Sequence, residues 1–112
     1  MEIFIGVVIA KYFMHTVTVI VNCDIKVDFT GDQQPIYRLY VGDELFVERR
    51  WFWKDEFLQE QIVIQAPYGL YPIKYELLDH PNAKLKVQSF SVVSGPGRFR
   101  KKMNLEIHNE NA

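Results

Sequence analysis

Apolar and polar side chains alternate with a period of two along most of this chain, which is the mark of strands with one buried face. The pattern is densest from Ile36 to Trp53, IYRLYVGDELFVERRWFW, and predicts a β-hairpin turning at Gly42. A two-residue loop, Gly42-Asp43, pairs Val41 with Glu44 and Leu39 with Phe46. A three-residue loop, Gly42-Asp43-Glu44, pairs Val41 with Leu45, Leu39 with Val47 and Tyr37 with Arg49. A slip of one residue moves every side chain to the other face. The longer loop gathers Tyr37, Leu39, Val41, Leu45, Val47, Trp51 and Trp53 on one side, so it is the expected register. The opposite side then carries Ile36, Arg38, Tyr40, Phe46, Glu48, Arg50 and Phe52. Arg38 faces Glu48 and Tyr40 faces Phe46, pairs that contribute about 0.2–1 kcal/mol each.

The remaining chain reads as further strands. Ile3 to Ala10 is an apolar run far short of the roughly 20 residues of a membrane span. It lacks the basic start and small-residue cleavage site of a signal peptide. It is expected to be a strand, paired within the chain or with a partner chain. If Met14 is instead the natural start, residues 1–13 are an extension. His15 to Asn22 and Asp24 to Phe29 both alternate, with a bulge or turn expected at Cys23. Thr30 to Pro35 is a loop. Lys54 to Leu58 connects, with room for one helical turn near Asp55 to Leu58. Gln59 to Ala66 places Ile62, Ile64 and Ala66 on one face, and Ile73 to Leu78 turns Ile73, Tyr75 and Leu77 inward. Lys84 to Val93 starts with Leu85 and Val87 inward, then changes phase to Phe90 and Val92, which predicts a bulge near Gln88-Ser89. Met103, Leu105 and Ile107 mark a last strand before a polar tail, His108 to Ala112, that is expected to fray. About eight strands at this spacing predict an all-β, antiparallel two-sheet β-sandwich of jelly-roll or related Greek-key topology, as one domain over residues 1–112.

Charge and chemistry narrow the function more than they name it. The 112 residues can bury a core without staples. The formal net charge of -1 gives no field that recruits nucleic acid or anionic membrane, and neither is an expected partner. The single cysteine, Cys23, cannot form an internal disulfide or a multi-cysteine zinc site, and reads as a small core residue. His15, His80 and His108 are scattered. Gly95-Pro96-Gly97 lacks the strand and helix of a phosphate loop. Asp28, Asp32, Asp43, Asp55 and Asp79 fall in or near loops and are the candidate calcium ligands, but without EF-hand spacing, and no cofactor is expected. Asp55 and Glu56 form no evident acid–base pair. Arg98-Phe99-Arg100-Lys101-Lys102 reads as a solvated loop guarding an edge strand. Catalysis is not expected.

The aromatics are the remaining signal: 8 Phe, 6 Tyr and 2 Trp. On the expected register Tyr40, Phe46 and Phe52 face outward among Arg38 and Arg50. These five residues form the candidate binding surface, because aromatic and arginine side chains anchor interfaces. The segments IYRLYVGDELFVERRW, QEQIVIQAP and LKVQSFSVV resemble small noncatalytic β-sandwich modules of the carbohydrate-binding type. That resemblance implies a sandwich fold, a glycan-binding aromatic face and loops able to hold calcium. In overall style the chain also resembles small proteins of marine tailed phages, among which compact β-sandwiches often decorate virions; the locations considered are the virion and the cytoplasm. The expected function is a noncatalytic interaction protein that forms a homo-oligomer through Ile3 to Ala10 and the aromatic face, with a virion protein or a glycan as the other partners considered.

Overall fold

The computed structural model describes residues 3–9, 15–53, 55–101 and 103–108. The elements are β1 (Ile3–Ile9), β2 (Val17–Phe29), β3 (Ile36–Val41), β4 (Glu44–Arg50), β5 (Leu58–Ala66), β6 (Gly69–Leu77), β7 (Ala83–Ser94), β8 (Gly97–Arg100) and β9 (Asn104–Ile107). Two sheets form, ordered β1-β5-β2-β7 and β4-β3-β6-β9-β8. The pairings among the described strands are antiparallel except that of β1, which extends the first sheet by pairing parallel to β5. The chain is thus an all-β, two-sheet sandwich. β2 and β3 are flanked by β5 and β4 on one side and by β7 and β6 on the other, a wound arrangement of non-sequential neighbours in the Greek-key manner.

Val17, Val19, Val21, Cys23, Ile25 and Val27 share one parity, and all six are buried on one face of β2. The expected break at Cys23 is therefore absent, and β2 pairs with β5 without interruption. The irregularity falls on β7 instead. Its register shifts between the partners of Asn22 and Asp24, with Ser89 at φ 60°, which is the bulge expected near Gln88-Ser89. The inner faces make two apolar clusters. One joins Val17, Val19 and Val21 with Leu39, Val41, Ile62, Ile64, Ala66, Ile73, Leu105 and Ile107. The other joins Cys23, Ile25 and Val27 with Tyr37, Trp51 and Leu58.

The hairpin uses both registers. From Ile36↔Arg50 to Leu39↔Val47 it follows the expected longer-loop pairing, but Tyr40 pairs with Leu45 and Val41 with Glu44. The loop is therefore two residues, with φ of 60° at Gly42, the backbone a two-residue turn asks of its first residue. The extra residue is absorbed by a bulge at the Leu39/Tyr40 step. This corrects two positions. Leu45, expected in the core, is 53% exposed, and Phe46, expected outside, packs with Val47 against the first apolar cluster. A bulge lets two successive residues lean to the same side, so Val47 keeps its core place while Phe46 gains one.

Two further expectations change. No helical turn forms among the described residues around 55–58, where Asp55 sits at φ 59° and Leu58 already begins β5, buried. The basic run from Arg98 is strand rather than loop through Arg100: β8 pairs with β9, and Arg98 and Arg100 contact Glu106 at 2.7 and 3.3 Å. Met14 as the start and the frayed tail beyond His108 fall outside the described residues.

The crossing from β7 to β8 depends on Gly95. Its φ is +94°, and a Cβ there would lie 2.2 Å from the Thr18 carbonyl oxygen and 2.9 Å from Val19 Cα. Backbone cannot yield as a flexible side chain can. Gly95→Ala is expected to lower stability by about 2–4 kcal/mol, combining a disfavoured φ with overpacking. A urea denaturation midpoint equal to that of the parent would show that this crossing relaxes freely.

Candidate functional site

The five-stranded sheet turns its outer face to solvent. Strand parity places Arg38 and Tyr40 of β3 there, beside Glu48 and Arg50 of β4 and Lys74 and Glu76 of β6. Arg38 Nε donates to Glu48 Oε1 at 2.7 Å, and its Nη1 stands 3.7 Å from Glu76 Oε1. The hydrogen bond to Glu48 raises the pKa of the already basic Arg38. Tyr40 is half-buried, and Lys74 Nζ lies 6.0 Å from its ring centroid, at the outer limit of a cation–π contact.

Of the five candidate residues, the face holds Arg38, Tyr40 and Arg50. Phe52 lies just past the end of β4, 58% exposed and edge-on to Trp53 at 5.9 Å. Phe46 is turned inward. Leu45 takes its place, facing Tyr40, and Leu70 of β6 (57% exposed) adds apolar surface farther along. The apolar residues are not continuous. The Glu48–Arg38–Glu76 row stands between Tyr40 and the row of Ile36 and Arg50, and those two rows are about 14 Å apart by strand rise.

A second cluster, inside, went unread in the sequence. Glu60 of β5 has no exposed surface and stands between the two sheets. Tyr75 Oη of β6 donates to its Oε1, and Tyr37 Oη of β3 donates to its Oε2 at 3.3 Å. Arg49 Nε of β4 is 3.5 Å from the same Oε2. Cys23 Sγ of β2 lies 3.2 Å from Tyr75 Oη. With the Tyr75 proton committed to Glu60, the thiol is the group left to donate. Burial raises the Glu60 pKa, outweighing the lowering by Tyr75, Arg49 and Tyr37. Burial also pushes the Cys23 thiol up to about 12, so it is no nucleophile at neutral pH. Such a carboxylate costs much to bury and is held because each oxygen has donors. It ties one strand of the first sheet to three of the second. The signal was available: Glu60 has the parity of Ile62, Ile64 and Ala66.

The loop aspartates do not converge. Among the described residues no group of three His, Cys, Asp or Glu side chains is placed to hold a metal. Asp28 and Asp55 line one open cleft of about 470 Å³ with Thr30, Asn82 and Lys84. There the Asp28 carboxylate is taken by Lys26 and Lys86, each at 3.3 Å. The histidines stay apart: His80 bonds Gln33 O and Asn82 N, and His15 stands edge-on to Tyr68.

Compared with protein-family models, curated proteins and solved structures, the chain matches none.

Proposed function

We propose that this chain is a noncatalytic β-sandwich interaction protein that self-associates through the outer face of its five-stranded sheet, as a structural or accessory component of a virion. The observation that carries the reading is exposed Leu45 and Leu70 with half-buried Tyr40, bordered by Arg38, Glu48 and Glu76. Apolar residues inside a rim of both charge signs have the composition of an interface. A second copy is the occupant that suits the face, since its own mixed rim supplies the complementary charges. Sedimentation velocity across a wide concentration range tests this. The parent chain is expected to dimerise, and Tyr40→Glu with Leu45→Glu is expected to weaken dimerisation at least tenfold with the fold intact. A parent chain that stays monomeric at the highest concentration removes the reading.

The exposed Phe52 ring favours a second reading, a carbohydrate-binding module, because flat apolar rings stack on sugars. Glycan-array binding lost in Phe52→Ala would move the choice to that reading.

A further inference from the structure

Every sheet edge offers unpaired backbone groups to another chain, and proteins guard such edges with charge, bulges or brevity. Three of the four edges here are guarded. β7 exposes Lys84 and Lys86 and carries two register shifts against β2. β4 exposes Glu48 and Arg50 and carries the hairpin bulge. β8 is four residues long and exposes Arg98 and Arg100.

The fourth edge is β1. Its sequence, IFIGVVI, has no charged residue and no proline. It pairs with β5 in unbroken register, from Ile3↔Gln59 to Ile9↔Gln65, and it ends the sheet order. One side of this strand, about 23 Å long, is therefore without a paired strand among the described residues.

From this we infer that β1 joins two copies of the chain edge to edge, the free side of one β1 pairing antiparallel with the free side of the other about a two-fold axis. The partner follows from the other edges. A matching edge must be regular and free of like charge, and among the described strands β1 alone meets both conditions. An antiparallel pair of identical strands closes by symmetry, with each residue contact made twice. The two four-stranded sheets then become one sheet of eight. This inference rests on the self-association reading and adds a second contact between copies, separate from the outer face of the five-stranded sheet.

Two measurements on the full chain test it. In a two-fold antiparallel pair, one residue of β1 meets itself, and facing Cα atoms lie within disulfide range. Ile5→Cys, Gly6→Cys and Val7→Cys, oxidised separately, are expected to give covalent dimers with a sharp maximum at one position. Buried Cys23 serves as the internal thiol control. Val7→Lys and Val8→Lys, one for each strand parity, are expected to weaken dimerisation at least tenfold in sedimentation. A dimer that ignores both lysines, cross-links at no preferred position and responds only to Tyr40→Glu with Leu45→Glu overturns edge pairing while leaving self-association in place. A chain that is monomeric throughout overturns both.

Discussion

Replacing Glu60 with leucine is expected to destabilise the protein by about 3–5 kcal/mol, while Glu60→Gln costs no more than about 1 kcal/mol. The leucine leaves the Tyr37 and Tyr75 hydroxyls and the Arg49 guanidinium facing apolar surface where a carboxylate had received them. Removing one member of a buried polar network leaves the others with the full cost of desolvation. Glutamine keeps the size and can accept from one tyrosine and donate to the other. A fold worth about 5–15 kcal/mol feels the first change severely. Chemical denaturation at one pH separates the two variants, and equal losses would show that the carboxylate's bonds contribute little.

The same residue sets a pH dependence. Glu60 has a raised pKa in the fold because burial disfavours its charged form. Between its ordinary value of 4.5 and that raised value, the folded chain holds more protons than the unfolded one. Its contribution is therefore full below 4.5 and is lost as pH rises through the raised value. The parent chain should thus lose stability relative to Glu60→Gln as pH rises across that window. Parallel stability curves for the two would mean that Glu60 does not titrate differently in the fold.

Trp51→Ala is the second large effect, an expected loss of about 3–5 kcal/mol. Trp51 is fully buried, edge-on to Tyr37 at 6.2 Å and to Trp53 at 5.5 Å, and its indole N–H donates to the Trp53 carbonyl. Its backbone N–H reaches Pro35 O at 2.8 Å, closing the end of the hairpin. Truncation opens a void among Tyr37, Ile25 and Leu58, members of the same cluster. Phe52→Ala, one residue away and exposed, is expected to stay within about 0.5 kcal/mol. Similar denaturation midpoints for the two variants would contradict the placement of Trp51 in that cluster.

The outer face was partly legible beforehand. Arg38 opposite Glu48 follows from strand period and hairpin pairing alone, as does Tyr37 opposite Arg49 on the inner face, and both hold. Phe46 did not follow, because a bulge is a local compromise between turn and core. The turn favours two residues and the core favours the longer register, and only the packed sheet shows that both are met. Glu60 was missed for a related reason. Parity places it inward, but a charged residue at an inward position makes sense only once Tyr37, Tyr75 and Arg49, distant in sequence, are seen to converge on it.

Local pattern by itself determined that the chain is all-β, where most of the described strands begin and end, and which face of most of them is buried, because a period of two is a property of the strand's own backbone. Tertiary structure decided the neighbours of each strand, the parallel placement of β1, the side that Phe46 chose and the donors around Glu60. Those outcomes depend on residues brought together across the two sheets, and alternation along a strand carries no information about what lies opposite.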